Sequence, residues 1–415
     1  MSYVVPVLDH VPSYDEFYRD YLAPNLPVML PAAMVASWPA IQRYGHDGRI
    51  DWEALCADFG DHQVPVIVGS AERRSMALRD AIHLLRTSSE PVYIKDWHLV
   101  RSSRTDAHAR DQSRPFPYVT PCLFADDWMN NVTPHARPTA TYAFASDAWL
   151  TQSTEAYEAD DFRFCYLGSR GSYTPLHRDV YTSYSWSTNI AGRKRWRLFA
   201  PDDARWLRQF PERRTSALAS RYAEMEQAFH AGKLGAYQDG YEGWPGWGQV
   251  RERVYEIEQE PGQTIFVPSN WYHEVENLTD CMSINHNWCN AMNLTSMYDA
   301  MEAEVEDVAQ ALDDVRAMLA GQPAWQREFT HLVQQVVEQD AGWAWHGFWA
   351  MVVDALRRPP CDPTYAPAPA YVQSTIEALL ERFRKRPDAP WLASGVHDLA
   401  SEASATLSLM TKPPR

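Results

Sequence analysis

The most informative part of the sequence is residues 260–277, EPGQTIFVPSNWYHEVEN. The Pro-Gly pair near its start predicts a tight turn, and residues 264–267 have the composition of a short buried strand. A second turn is predicted at residues 268–270, after which the chain re-enters the sheet with His273. A lone histidine is more often a core or surface residue than a ligand, but the flanking turn and strand pattern makes His273 a candidate metal ligand.

Two further candidate ligands lie upstream, in His177-Arg178-Asp179. With 14 His and 54 acidic residues in 415 positions, chance alone predicts about two such His-x-acid triplets, so the triplet by itself is weak evidence. On an extended strand, however, residues two apart project from the same face. His177, Asp179 and His273 would then form a two-histidine, one-carboxylate set, which suits non-heme Fe(II) and also suits catalytic zinc.

A buried positive charge is predicted in residues 189–201, NIAGRKRWRLFAP. Period-two alternation places Lys194, Trp196 and Leu198 on one face of a strand and three arginines on the other. The face with the tryptophan and the leucine must be the buried one, so Lys194 points inward. An ammonium buried without an anion costs several kcal/mol, and we therefore expect it to meet a carboxylate, either of the protein or of a bound diacid.

The rest of the chain predicts an α+β protein in three segments. Residues 1–90 mix a short helix and a strand and are expected to form an N-terminal α/β cap. Residues 91–294 contain most of the strand patterns and form the predicted β core, interrupted by an insert at residues 202–255. Residues 295–415 are predicted to be helical.

The insert has a helical pattern at residues 217–229, followed by a Gly- and Trp-rich run at residues 240–249. We expect a long loop beside the site, although a surface loop without a role is at least as consistent with the pattern.

The C-terminal segment begins with a long helix, for which Thr295 or Ser296 is the expected cap and Gly321 with Pro323 the expected end. Its apolar positions recur every three or four residues, at Met301, Val305, Val308, Leu312, Val315 and Leu319. Three more helical patterns follow, at residues 329–337, 343–356 and 372–383. Apolar stripes of this kind predict core packing or oligomer formation through the helices.

Charge and composition narrow the function. There are 38 basic and 54 acidic side chains, a formal charge of -16, which disfavours nucleic acid and anionic lipid as partners. The same charge would attract a basic protein, although solubility is the commoner reason for an acidic surface. No stretch has the roughly 20 apolar residues of a membrane helix, and the six cysteines form no CxxC pair or disulfide framework. We therefore expect a cytoplasmic protein with reduced thiols.

The two motif blocks at residues 161–201 and 261–290 resemble the JmjC-domain oxygenases, and most of all the JmjC-domain-containing protein 4 group. The resemblance covers roughly residues 11–294. It implies a double-stranded β-helix of the cupin or jelly-roll type, with Fe(II), 2-oxoglutarate and dioxygen as cofactor and co-substrates. It also implies a substrate, because that group hydroxylates a lysine of the eukaryotic translation termination factor.

The resemblance assigns roles to particular positions. It makes His177, Asp179 and His273 the iron ligands and Lys194 the partner of the far carboxylate of 2-oxoglutarate. Tyr93 and Thr174 match positions that also hydrogen-bond that carboxylate in the family, and Asn285 and Asn287 match positions that line the co-substrate and iron pocket. Ser187 is a departure, since some JmjC lysyl hydroxylases carry asparagine there. Side chains of these types on strands often only satisfy backbone groups.

Three functions stay open at this point. The first is protein lysyl hydroxylation. The second keeps the oxygenase chemistry but removes a methyl group from N-methyl-lysine, and the absence of a zinc-coordinating reader module in the sequence weakens it. The third is a non-catalytic cupin-fold scaffold, which the intact ligand triplet and Lys194 argue against. A zinc hydrolase is more remote because it leaves Lys194 unexplained.

Overall fold

The structure is a computed structural model that describes residues 3–105, 116–130, 162–234, 244–358 and 362–410. The chain divides into two compact units, residues 1–123 with 163–287, and residues 124–162 with 288–415. The predicted division into segments 1–90, 91–294 and 295–415 stays a prediction about the organisation along the chain.

The first unit is built around β-strands, with seven α-helices among its described residues. The helices are α1 (Tyr14–Phe17), α2 (Pro39–Tyr44), α3 (Trp52–Phe59), α4 (Leu78–Thr87), α5 (Leu99–Thr105), α6 (Tyr222–His230) and α7 (Trp247–Val250). The strands are β1 (Val28–Leu30), β2 (Gly45–His46), β3 (Arg49–Ile50), β4 (Gln63–Val68), β5 (Arg74–Ala77), β6 (Val92–Trp97), β7 (Arg163–Gly168), β8 (Tyr173–Arg178), β9 (Tyr184–Ala191), β10 (Lys194–Phe199), β11 (Tyr255–Gln259), β12 (Thr264–Val267), β13 (Tyr272–Asn277) and β14 (Cys281–Trp288).

Twelve of these strands form an eight-stranded sheet in the order β1-β12-β9-β14-β7-β6-β4-β5 and a four-stranded sheet in the order β11-β10-β13-β8, and β2 and β3 form a separate two-stranded sheet. Neighbours such as β10 and β13, or β12 and β9, run antiparallel. The two sheets share one apolar core. The four-stranded sheet contributes Trp196, Leu198 and Val275, and the eight-stranded sheet contributes Met29, Ile265 and Val267. The predicted α+β fold with a cupin-type double-stranded β-helix is confirmed.

The turns predicted around β12 are present. Gly262 has φ +80°, and a Cβ at this position would lie 2.7 Å from the Cβ of Ala32, so glycine is required there. Asn270, in the second turn, has φ 64°, a conformation that asparagine tolerates better than most residues. The chain then enters β13, which carries His273 in its second position.

The insert is more regular than the sequence predicts. Its described residues include α6, shorter than the helix predicted at residues 217–229, and α7; residues 240–243 of the Gly- and Trp-rich run lie outside the described residues. The insert packs on the outer face of the four-stranded sheet rather than forming an open loop. Apolar side chains from both sides meet there: Leu176, Phe199 and Tyr272 from the sheet, and Leu207, Met225, Trp247 and Val250 from the insert.

The second unit is helical in its described residues. Its helices are α8 (Leu294–Ala311), α9 (Asp313–Leu319), α10 (Trp325–Ala341), α11 (Trp345–Arg357), α12 (Pro369–Arg384) and α13 (Ser394–Met410). Aromatic rings line its core, with Trp345 packed edge-on against Phe348 and Phe383.

The first C-terminal helix differs from its prediction in two ways. Asn293, not Thr295 or Ser296, occupies the N-cap position, and the helix is interrupted at Leu312. Beyond the interruption, Asp313 and Asp314 stand in the first turn of α9, where negative charge favours a new helix N-terminus.

No described helix combines the length and the apolar character needed to cross a bilayer. The five cysteines in the described residues are free thiols, in agreement with the absence of a disulfide pattern. The sixth, Cys361, lies outside the described residues.

Candidate metal centre

The three predicted ligands lie together at one end of the β core. Ligand atoms of His177, Asp179 and His273 are all within 4.8 Å of one another, a spacing that one metal ion can bridge. His177 on β8 and His273 on β13 are direct partners across the antiparallel pair, and their ring centroids are 4.2 Å apart. Asp179 lies just beyond the end of β8 in extended conformation, at φ -60° and ψ 150°. The carboxylate therefore still projects toward the histidines.

Each histidine is oriented by a backbone carbonyl. The Nδ1 of His177 is 2.8 Å from the carbonyl oxygen of Pro175, and the Nδ1 of His273 is 3.4 Å from that of Trp271. A ring that donates from Nδ1 keeps the lone pair of Nε2 free for a metal. The donor set is thus two imidazole nitrogens and one carboxylate oxygen, the set that open Fe(II) sites use.

The carboxylate of Asp179 is held by two neighbours. It accepts a hydrogen bond of 2.7 Å from the Oγ of Ser185, and the amide of Asn287 also donates to it. Burial acts to raise the pKa of Asp179, but His273, His177 and these hydrogen bonds outweigh burial and lower it. The carboxylate is therefore ionised at neutral pH and available as a ligand.

Burial, followed by the neighbouring charge of His273, lowers the pKa of His177 to about 4. Its imidazole is therefore neutral near pH 7, the form that binds a metal. The lowered pKa of His177 and the lowered pKa of Asp179 both favour the protonation states that a metal site requires.

A β-bulge in β8 brings Thr174 to the same face as His177. His177 pairs with His273, but Thr174 pairs with Val275, so three steps along β8 match two steps along β13. In a regular strand Thr174 and His177 would face opposite sides. The extra residue places both on the inner face, and bulges commonly redirect side chains near active sites.

Lys194 lies on the core-facing side of the four-stranded sheet, as the period-two alternation of β10 predicts. Only 2% of the residue is exposed, and burial lowers the pKa of its ammonium. The Nζ donates a 3.0 Å hydrogen bond to Oδ1 of Asn277. Among the described residues, no carboxylate lies within ion-pair distance of this ammonium. Lys194 is therefore a buried cation without a carboxylate partner in the described part of the chain.

Polar groups near Lys194 form a small cluster. The hydroxyls of Tyr93 and Thr174 are 3.0 Å apart, and Asn277 donates from its Nδ2 to the Oγ of Ser172 at 2.8 Å. Gly168 keeps this space open, because a Cβ there would lie 2.3 Å from both Asn277 Nδ2 and Ser172 Oγ. Sequence reasoning missed Asn277 and Ser172. Asn277 could have been predicted, since alternation along β13 puts it on the same face as His273.

The remaining predicted residues form two hydrogen-bonded pairs. Ser187 donates to Oδ1 of Asn285 at 3.1 Å, and Asn287 donates to the Oγ of Ser183 at 3.1 Å. Asn287 belongs to the metal centre through Asp179. Ser187 and Asn285 bond to each other, and their part in binding a co-substrate stays a prediction.

Tyr166 connects the cluster to a further carboxylate. Its ring centroid is 6.0 Å from that of Tyr93, and its hydroxyl donates to Oδ1 of Asp96 at 3.0 Å. Burial raises the pKa of Tyr166 well above its ordinary value, and the carboxylates of Asp96 and Asp179 add to the effect. The phenol therefore lies within electrostatic range of both carboxylates.

With this geometry established, comparison with known proteins identifies the family. The family described as "Cupin-like domain" matches residues 14–293. The chain belongs to the cupin-like domain family. The match includes the metal centre and Lys194.

Two relatives of this cupin-like chain are 32% identical to it. "JmjC domain-containing protein 1" of Schizosaccharomyces pombe aligns over 329 residues, which are 74% of this chain and 60% of that protein. Human "2-oxoglutarate and iron-dependent oxygenase JMJD4" aligns over 333 residues, which are 75% of this chain and 67% of that protein. "Arginine-specific demethylase JMJ20" of Arabidopsis thaliana is 30% identical over 315 residues, 73% and 61% of the two chains.

The cupin-like chain thus spans 60 to 67% of the length of these relatives. The predicted resemblance to JmjC-domain oxygenases, and to the JMJD4 group in particular, is confirmed.

Proposed function

We propose that this protein is an Fe(II)- and 2-oxoglutarate-dependent oxygenase that hydroxylates a lysine side chain in a protein. The observation that carries the proposal is the pairing of two features in one β core. One is a two-histidine, one-carboxylate group, and the other is the buried ammonium of Lys194 with no described carboxylate near it. A dicarboxylate co-substrate supplies the anion that the ammonium needs.

The residues present fit both groups. Two imidazole nitrogens and an ionised carboxylate are donors that bind Fe(II) and leave positions open for other ligands. Iron bound there with 2-oxoglutarate and dioxygen supplies an oxidant able to break an unactivated C–H bond. We assign the metal to His177, Asp179 and His273.

The protein's own contribution is orientation and exclusion of water. Lys194 and the hydroxyls of Tyr93 and Thr174 hold the far carboxylate of the co-substrate. Ser185 and Asn287 fix the carboxylate of Asp179, and two backbone carbonyls fix the imidazoles. We assign supporting contacts in the same pocket to Ser187 and Asn285.

The substrate we propose is the eukaryotic translation termination factor. JMJD4 relatives are named 2-oxoglutarate and iron-dependent oxygenases, and a more distant protein of Caenorhabditis briggsae is named "Bifunctional arginine demethylase and lysyl-hydroxylase psr-1". The motif blocks favour the termination-factor group within this family. A net charge of -16 favours a basic protein surface as partner.

Demethylation is the second candidate, and two relatives with "arginine demethylase" or "arginine-specific demethylase" in their names favour it. The same metal centre would serve, because hydroxylation of an N-methyl group yields a hydroxymethyl that leaves as formaldehyde. Product mass separates the two. Hydroxylation adds about 16 Da, and demethylation removes about 14 Da.

The experiment is incubation of the protein with Fe(II), 2-oxoglutarate and recombinant termination factor, followed by peptide mapping by mass spectrometry. We expect added oxygen on one lysine and conversion of 2-oxoglutarate to succinate, both lost in a folded His177→Ala variant. Turnover of 2-oxoglutarate that persists in that variant would contradict the site. Failure of the wild-type protein to bind Fe(II) or 2-oxoglutarate would favour a scaffold role.

A further inference from the structure

Asp96 lies in an irregular part of β6. Between β6 and β7, Ile94 pairs with Leu167 but Trp97 pairs with Cys165, so three steps along β6 match two along β7. Asp96 itself has φ 60°, in the left-handed region. Aspartate enters this region more readily than most residues, and the conformation coincides with the bulge in β6.

The bulge decides which side chains face the site. Tyr93 faces it, as its hydrogen bond to Thr174 shows. In an unbroken strand Trp97 would share that face with Tyr93, and Asp96 would point to the other side. The bulge reverses the directions of both side chains. Trp97 is buried on the opposite side, where its ring packs against Phe59, and Asp96 comes to the hydroxyl of Tyr166.

A row of aromatic rings runs along the same wall. The ring centroid of Tyr166 is 6.0 Å from that of Tyr93 and 6.1 Å from that of Phe164, and Phe164 is 5.0 Å from the ring of His98. Tyr166 and Phe164 are both partly exposed. Such rings offer an apolar surface along which the methylene groups of a long side chain can pack.

The carboxylate of Asp96 already forms an ion pair with Arg73. The Nη1 of Arg73 is 3.1 Å from Oδ2 of Asp96, while Tyr166 holds the other oxygen. The arginine side chain is 52% exposed and that of Asp96 is 27% exposed. A pair this exposed stabilises a fold little, so stability is a weak reason for the bulge. Arg73 instead shows that a positive group fits at Asp96.

We propose that Asp96 is the specificity residue that receives the positive end of the substrate side chain, with the methylene stem against Tyr166 and Phe164. In the substrate-free protein Arg73 stands in for that cation and moves away when a substrate binds. The ligand class is a primary ammonium or guanidinium on an unbranched side chain. This inference rests on the proposed function and adds the residue that selects the substrate.

The test compares binding of three peptides by the full chain under anaerobic conditions with Fe(II) and 2-oxoglutarate. The peptides share one sequence of the termination factor, and carry lysine, norleucine or glutamate at one position. We expect the wild-type protein to bind the lysine peptide about tenfold or more tightly than the norleucine peptide. Asp96→Asn removes that preference, Asp96→Glu restores part of it, and Arg73→Ala keeps or increases it.

Asp61→Asn is the matched control, because Asp61 pairs with Arg79 on the surface of the same unit. An unchanged preference in Asp96→Asn, or equal wild-type affinity for the lysine and norleucine peptides, would overturn the inference. So would a preference for glutamate, which would point to the neighbouring Lys95. Turnover of 2-oxoglutarate in air tests the proposed function separately, since the peptide preference is measured without turnover.

Discussion

The two faces of strand β10 hold buried positive charge in different ways. On the inner face, Lys194 is 2% exposed and has one described polar partner, the neutral amide of Asn277. On the outer face, Arg197 is 7% exposed and is paired with Glu274 at 2.8 Å and Glu256 at 2.5 Å. Both cations have lost water, but among the residues that the structure describes only the outer one has gained carboxylate partners.

This difference indicates that the outer-face charges serve the stability of the fold, whereas the inner-face charge serves ligand binding. Glu274 accepts hydrogen bonds from Arg197, from the hydroxyl of Tyr173 and from the backbone N–H of Tyr222. This closed network holds the insert to the sheet. The inner face leaves its charge open at a cost of several kcal/mol, and a bound dicarboxylate would remove that cost. We therefore expect changes on the inner face to affect co-substrate binding and changes on the outer face to affect stability.

The largest effect is expected at the metal end of the inner face. His177→Ala removes one of three ligands, so Fe(II) affinity should fall on the order of 100-fold or more, with loss of turnover. Anaerobic calorimetry measures the affinity. His230→Ala, at an exposed histidine of α6, is the control and should bind Fe(II) as the wild type does. Equal affinity in the two variants would remove His177 from the site.

On the outer face, Glu274→Gln should act mainly on stability. The change leaves Arg197 with only the more exposed Glu256 and should lower the free energy of unfolding by about 3 kcal/mol. Denaturant titration measures this change. Affinity for 2-oxoglutarate should stay within a few-fold of wild type in folded protein. A stable variant that no longer binds 2-oxoglutarate would reverse the roles given to the two faces.

Acid should destabilise the metal-free protein through the inner face. The pKa of His177 is about 4 in the folded chain, against an ordinary value of 6.5. Between these values the unfolded chain binds more protons, so the free energy of unfolding falls as the pH falls from 6.5 toward 4. His177→Gln should show a flatter pH dependence in denaturant titrations. Identical pH dependence in the two proteins would contradict the burial of a neutral imidazole.

The smallest effect concerns the hydroxyl of Tyr93. Tyr93→Phe removes one hydrogen bond at the co-substrate end, so affinity for 2-oxoglutarate should fall by about fivefold, close to 1 kcal/mol. Thr174→Val should give a similar loss, and the double variant should show that the two hydroxyls are coupled. No loss in any of the three would indicate that these hydroxyls only satisfy each other.

Much of the site followed from period-two alternation. The inward direction of Lys194 and the strand and turns leading to His273 are local properties of the sequence. Thr174 could not be placed that way, because three residues separate it from His177 and only the bulge opposite β13 brings both to one face. Asp96 depends on a second bulge, in β6. Bulges arise from pairing between distant strands, which a local pattern does not contain.

Two features away from the site were also not predicted from the sequence. No separate pattern was predicted for helix α13, because two of the four buried apolar residues described on it, Ala400 and Ala403, are small and give a weak apolar stripe. The packing of the insert on the outer face was also missed, since its contacts come from Trp247, Phe199 and other residues far apart in sequence.

The role that we propose for the inner cation, Lys194, is to bind a diacid. The direct measurement is calorimetric titration of 2-oxoglutarate into the Lys194→Met and Arg197→Met variants, with thermal unfolding of both. We expect Lys194→Met to lose affinity for 2-oxoglutarate about 100-fold or more and to keep or raise its Tm. Arg197→Met should keep the affinity and have a lower Tm. Wild-type affinity for 2-oxoglutarate in Lys194→Met would contradict the role given to Lys194.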